Sequence, residues 1–130
     1  MTDSPLRYLG LMRKAGKLEI GEVASEEASK RGKANLLLLA QDAGVNTRKH
    51  AEKMAYNSNV ILINLPYGKN EFSHSIGMNH TALVAVTDIG FADAFLTNLA
   101  KEFPQFQEQA DKIKIKKENA ENKKVIRRKK

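Results

Sequence analysis

The stretch Arg31-Gly32-Lys33-Ala34-Asn35-Leu36-Leu37-Leu38-Leu39-Ala40-Gln41-Asp42 decides the fold. Four leucines and an alanine in a row fall short of the ~10 residues of a helix, and they lack the polar alternation of a half-exposed strand. What remains is a strand buried on both faces, and such strands belong to sheets covered by helices on either side. Two more runs share this character, Val60-Ile61-Leu62-Ile63-Asn64-Leu65 and Ala82-Leu83-Val84-Ala85-Val86.

Working outward, the segments between these runs have helical spacing. Ser4-Pro5 offers a cap and a first-turn proline for a helix over about 5–15, with Leu6, Leu9 and Met12 inward and Gly16 as its stop. After a short extended piece, Leu18-Glu19-Ile20, a second helix is expected from Gly21 to Arg31, with Val23, Ala24 and Ala28 inward. Asn46-Thr47 can cap a third helix to about Tyr56, with Val45, Met54 and Ala55 inward and Arg48, Lys49, Glu52 and Lys53 outward. Pro66-Tyr67-Gly68 breaks the second strand, and Lys69 to Ile76 reads as a short helix. Asp88 caps a last helix striped with Phe91, Ala92, Phe95, Leu96 and Leu99, which stops before Pro104. Strands alternating with helices predict an α/β fold, a three-layer α-β-α sandwich around a small mixed, largely parallel sheet.

The chain of 130 residues carries 22 Lys+Arg against 15 Asp+Glu, and the surplus is uneven. Residues 1–100 hold 11 basic and 10 acidic side chains, whereas residues 101–130 hold 11 basic and 5 acidic. From Lys112 onward the only large apolar residues are Ile113, Ile115, Val125 and Ile126, too few for a core of their own. A domain over 1–103 followed by a basic C-terminal arm over 104–130, helical or disordered, is therefore expected. The competing expectation for the arm is a solvated tail. No apolar run approaches the ~20 residues of a membrane span, and Met1-Thr2-Asp3-Ser4-Pro5 has no signal-peptide pattern, so a soluble cytoplasmic protein is expected. The absence of cysteine excludes zinc ribbons and thiol chemistry, and His50, His74 and His80 are scattered, so neither metal nor other cofactor is expected.

Catalytic patterns are poor. Gly10 to Lys17 fails as a P-loop because the glycine spacing is wrong, Leu18 replaces the metal-binding hydroxyl, and a helix precedes it. Ser73-His74-Ser75 with Asp42 and Asp88 could suggest nucleophilic chemistry, yet Asp88 is explained as a cap, Asp42 as a loop or cap residue and His74 as a solvated side chain. His50 has no assigned role. More informative is Arg13-Lys14-Ala15-Gly16-Lys17 leading to Gly21-Glu22. Cations for phosphates, a helix start with open N–H groups, a glycine permitting close backbone approach and a carboxylate able to accept from a base amino group suit RNA. The alternative is that the glycines only shape turns and the cations are solvated.

Gly21-Glu22, the stretch 31–42, and Ser75-Ile76-Gly77 before Ala82-Leu83-Val84-Ala85-Val86-Thr87-Asp88-Ile89-Gly90-Phe91 together resemble the ribosomal protein L-seven-Ae and L-thirty-e family of kink-turn RNA binders, most closely its small bacterial ribosome-associated members. The resemblance covers about residues 5–101. It implies a non-catalytic RNA-binding protein, ribosomal or ribosome-associated, a monomer whose partners are structured RNA of kink-turn type or a variant, and the ribosome. It also implies a face joining the start of the second helix to residues 77–81. On that basis Arg13, Lys14, Lys17 and Lys33 are expected at phosphates, Gly21 and Glu22 at the RNA from the helix start, and Met78, Asn79 and His80 at an unstacked base. Lys69 falls where the family carries a lysine before its short helix. Aligned without gaps, the family's Asn-Glu pair falls on Val23-Ala24 and its lysine on Glu27; shifted by two residues, the pair falls on Gly21-Glu22 and the lysine on Ser25. Either register lacks the Asn and the Lys, which implies weaker binding of a generic kink-turn. The alternative function is a protein-interaction module of a ribonucleoprotein assembly that has lost the RNA site. A third, an enzyme fragment, lacks the second domain it would accompany.

Overall fold

The three apolar runs do form the sheet, and their alternation assigns each side chain to a layer. In the computed structural model, which describes residues 4–129 and the side chains of 4–123, the elements are α1 (Leu6–Lys14), β1 (Leu18–Ile20), α2 (Glu22–Lys30), β2 (Leu36–Leu39), α3 (Val45–Ser58), β3 (Ile61–Asn64), α4 (Lys69–Ser75), β4 (Leu83–Val86), α5 (Ile89–Glu102), a 3-10 turn (Pro104–Phe106) and α6 (Gln107–Lys129). Leu36, Leu38, Ile63, Val84 and Val86 point to one face and pack with Leu9, Met12, Phe72, Phe95, Leu96 and Leu99, so α1, α4 and α5 cover that side. Leu37, Leu39, Leu83 and Ala85 point to the other, against Ala28, Ala34, Ala51, Met54 and Ala55 of the α2–α3 side. All four leucines of β2 are fully buried, as a doubly covered strand requires.

The sheet is mixed, with order β1-β4-β2-β3, but its balance differs from expectation. Only β2 and β3 run parallel; β4 is antiparallel to both of its neighbours, β2 and β1. The reason lies in the connection from β3 to β4. Helix α4 has seven residues, and the chain then folds back on it, with Met78 N–H donating to Ser73 O (2.8 Å) and Thr81 N–H to Ser73 Oγ (2.8 Å). It therefore re-enters the sheet at the end where β3 left it. The piece Leu18–Ile20, expected only as extended, is the fourth strand.

Two helix faces differ from the sequence expectation. In α2 the buried residues are Ser25, Ala28 and Ser29, while Val23 is 81% exposed. Small side chains let this helix lie close to the sheet, and Ser25 Oγ meets the Glu19 carbonyl at 3.4 Å. Helix α3 begins at Val45, itself exposed, after an extended Gly44 and without a side-chain cap. Asn46-Thr47 therefore do not cap it; Thr47 Oγ1 donates instead to Glu22 Oε2 at 3.2 Å. Asp88 does cap α5, accepting from Phe91 N–H at 2.9 Å.

The segment after Pro104 is helical, and its first turns pack on α5. Phe106, Ala110 and Ile113 are buried, Tyr67, Phe103 and Phe106 meet edge to face, and Lys114 and Lys117 reach Asp93 at 3.5 and 3.4 Å. This part of the arm thus contributes packing as well as charge, because Phe106, Ala110 and Ile113 share one helical face. Lys130 and the side chains of Lys124, Arg127, Arg128 and Lys129 lie outside the described residues, as do Met1, Thr2 and Asp3.

Candidate nucleic-acid interface

Helix α2 starts from a glycine because the backbone there has φ +96° and ψ 170°, a region closed to residues with a Cβ. That turn brings the Gly21 N–H to the Leu83 carbonyl at 2.9 Å. The start of α2 is thereby fixed beside the point where the 77–82 loop enters β4. The loop is itself held: Ser73 Oγ, buried, accepts from Thr81 N–H and donates to Thr81 O (3.0 Å). Between these anchors Met78, Asn79 and His80 are exposed, and His80 has φ +56°.

Arg13 and Lys14 come from the last turn of α1, which packs against α4. The Arg13 guanidinium donates to the Ile76 carbonyl. Gly77 suits this position by its φ of +68°, and a Cβ there would displace the Arg13 guanidinium tip, 2.7 Å away. Lys14 lines the same hollow as Arg13 and Gly77. Lys69 opens α4, with its N–H donating to Asp42 Oδ1 at 2.7 Å. Register puts it at the Gly21 end, since α4 follows β3, Asn64 of β3 is level with Leu39, and Leu39 faces Leu83.

The structure therefore gathers Gly21, Glu22 and Lys69 at one end of the sheet, beside the loop that carries Met78, Asn79 and His80. Lys17 and Lys33 are not with them. The Lys17 carbonyl accepts from Thr87 N–H at 3.0 Å, and Lys33 lines a cleft with Thr87, past the other end of β4. Neighbours in sequence are separated here because β1, an edge strand, carries the chain from one end of the sheet to the other. Of the positions where the family carries Asn, Glu and Lys, Val23 points to solvent and Glu27 holds Arg31 in an exposed ion pair at 2.6 Å.

His50, which has no role assigned from sequence, joins α2 to α3. Its Nδ1 lies 2.9 Å from Glu22 Oε1 and its Nε2 2.7 Å from Glu26 Oε2. Hydrogen bonding to Glu26 first, and to Glu22 next, raises the His50 pKa above its usual 6.5. The same bond to His50 is the main cause lowering the Glu26 carboxyl. Glu22 is thus occupied by Thr47 and His50 rather than turned freely outward. The only hint in the sequence was that Glu22 and Glu26 stand one helical turn apart; the partner 24 residues further on is visible only once α2 and α3 pack.

Among the described residues no helix is long and apolar enough to cross a membrane. No protein-family model matches the chain. Its fold recurs in solved structures. A Bacillus halodurans protein of unknown function superposes with a TM-score of 0.68 at 24% identity, covering 75% of this chain and 97% of its own. The Giardia lamblia 15.5kD RNA binding protein does so with a TM-score of 0.62 at 17% identity, covering 74% and 82%. In sequence, the RNA-binding protein YlxQ of Bacillus subtilis (strain 168) is 35% identical over 96 residues, which make up 70% of this chain and 90% of YlxQ. Identity at that level across nine tenths of the relative shows that the chain belongs to the family of YlxQ.

Proposed function

We propose that this protein is a non-catalytic RNA-binding protein, ribosomal or ribosome-associated and cytoplasmic, that takes structured RNA of kink-turn type or a variant of it, as the L-seven-Ae resemblance implies. The observation that carries the reading is the Gly21 N–H bond to the Leu83 carbonyl, which sets the start of α2 beside the exposed loop Met78-Asn79-His80. A helix start supplies N–H donors for phosphate, and an exposed loop with a Met, an amide and an imidazole suits an unstacked base. Similarity to a protein named as RNA-binding supports it. Lys14 and Lys69 add charge at the border, and residues 1–103 form the binding domain in this reading, with 104–130 as its arm.

A second reading, a protein-docking module, is favoured by one observation: Val23 and Val45, 81% and 68% exposed, open the two neighbouring helices α2 and α3. Crosslinking and sequencing of the RNA that copurifies from native cells tests both. Ribosomal or another structured RNA is expected, and a stable protein partner without RNA would favour docking. In a titration with that RNA, Lys14→Glu is expected to weaken binding several fold, with a shallower salt dependence. An equal loss on reversing Lys49 and Lys53, exposed on α3, would show that the face is misassigned.

A further inference from the structure

Along α6 the lysines fall into two groups. Those over α5 and near the helix start are neutralised: Lys112 pairs with Glu108 at 3.6 Å, and Lys114 and Lys117 with Asp93. Lys116 and Lys123, seven residues apart on one face, make no ion pair among the described residues. They flank a cleft with Asn119, Asn35 and Thr87. Thr87 also lines the neighbouring cleft that holds Lys33, so the two hollows adjoin. The Lys17 carbonyl is bonded to that same Thr87. Neither Lys17 nor Lys33 has an ion pair among the described residues.

Glu27 is cancelled by Arg31, which leaves the carboxylates of Glu19 in the first hollow and of Asp88, which accepts from Phe91 N–H, in the second. The lining lysines Lys33, Lys116 and Lys123, with Lys17 beside Thr87, outnumber those two carboxylates and leave this surface a cationic surplus. The cations stand on both walls, the α2–β2 turn on one side and the outer half of α6 on the other. A single strand, unlike a duplex, leaves its base edges open to neutral donors beside the cations. The amides of Asn35 and Asn119 add neutral donors for sugar or base oxygens.

We propose that this groove is a second RNA-contacting surface, at the end of the sheet opposite Gly21, and that it takes the phosphodiester backbone of a single-stranded RNA segment without regard to sequence. The proposal rests on the RNA-binding reading for its partner, but not on the residues of the first face. It assigns Lys17 and Lys33, which the fold separates from Gly21, to a site of their own together with α6.

The test uses the full chain and two probes, the single strand rU20 and a kink-turn duplex, titrated by fluorescence anisotropy from 50 to 200 mM KCl. Lys33→Glu/Lys116→Glu/Lys123→Glu is expected to bind rU20 at least tenfold more weakly at 50 mM. Its log-affinity slope against log salt should be shallower by about 2, at roughly 0.7 per phosphate on a single strand. Kink-turn affinity should change less than threefold, and thermal unfolding should match wild type because these side chains are exposed and unpaired. The neutral variant Lys33→Gln/Lys116→Gln/Lys123→Gln, which introduces no repulsion on α6, should show the same order with smaller changes. An unchanged rU20 slope in both variants overturns the groove, as does an equal loss from Lys49→Glu/Lys53→Glu. If wild type binds rU20 through these lysines but no kink-turn, the first-face reading fails and the groove stands. If Lys14→Glu lowers kink-turn binding while the groove variants leave rU20 untouched, the reverse holds.

Discussion

Ile113→Ala should destabilise the whole domain, although it lies among lysines in the most charged part of the chain. Ile113 is fully buried against α5, while Ile115, two residues on, is 57% exposed. Truncation to Ala removes three carbons, about 2.5 kcal/mol of transfer free energy at ~0.8 kcal/mol per group. A cavity would add to this, but α6 packs on one side only and can settle inward, so the lower half of the ~2–5 kcal/mol range for Ile→Ala is expected. With an unfolding entropy of ~2.1 cal/mol/K per residue, 2.5 kcal/mol lowers Tm by roughly 9 °C for a chain of this length. Ile115→Ala, a surface change of under ~0.5 kcal/mol, should move it by less than ~2 °C. Far-UV circular dichroism melts of the three proteins decide the matter. If Ile113→Ala melts within 2 °C of wild type, or if Ile115→Ala matches it, α6 is not docked through this face.

Three further expectations follow from the site. Gly77→Ala puts a Cβ on a backbone with φ of +68°, so it should cost ~1 kcal/mol, visible in a denaturant midpoint, and push the Arg13 guanidinium aside; wild-type stability would contradict the left-handed turn. Val23→Asn/Ala24→Glu/Glu27→Lys, which restores the residues of the resembled family, should tighten kink-turn binding by one or two base contacts of ~1–3 kcal/mol each, and unchanged affinity would mean the positions are misaligned. The His50 pKa is raised in the fold, so its contribution is fully present below 6.5 and declines as pH rises through the raised value; Tm should fall across that interval in wild type and stay flatter in His50→Gln. A parallel fall in both proteins would place the pH dependence elsewhere.

Much of the fold was legible because its strands announce themselves. Leu36–Leu39 and Leu83–Val86 are apolar at every position, and the Phe95, Leu96 and Leu99 stripe repeats at helical spacing. Strand β1 was harder, being three residues long with a central Glu19 turned to solvent. The inner face of α2 was hidden because Ser25, Ala28 and Ser29 are small and carry almost no hydropathy signal, so Val23 drew the assignment to the wrong side. In the arm, Phe106, Ala110 and Ile113 do repeat at helical spacing, but the surrounding charge outweighed three residues. The separation of Lys17 from Gly21 follows from the extended Leu18-Glu19-Ile20 between them. That Lys33 lies at the same end as Lys17 could not be read, because it depends on β4, more than sixty residues from β1, pairing with both β1 and β2.

Strand β4 is the last strand of the sheet to be synthesised, yet it lies between β1 and β2. Until Leu83–Val86 arrives, β1 has no partner at all and β2 is paired on one edge only, by β3. Closure of the sheet therefore waits on contacts of high sequence separation, which are slow to form because the intervening loop must be ordered first. A nascent chain ending before residue 83 would present the fully apolar Leu36–Leu39 as an open edge, the kind of surface that pairs with other chains. The strand that closes the sheet also governs when the growing chain loses this open edge.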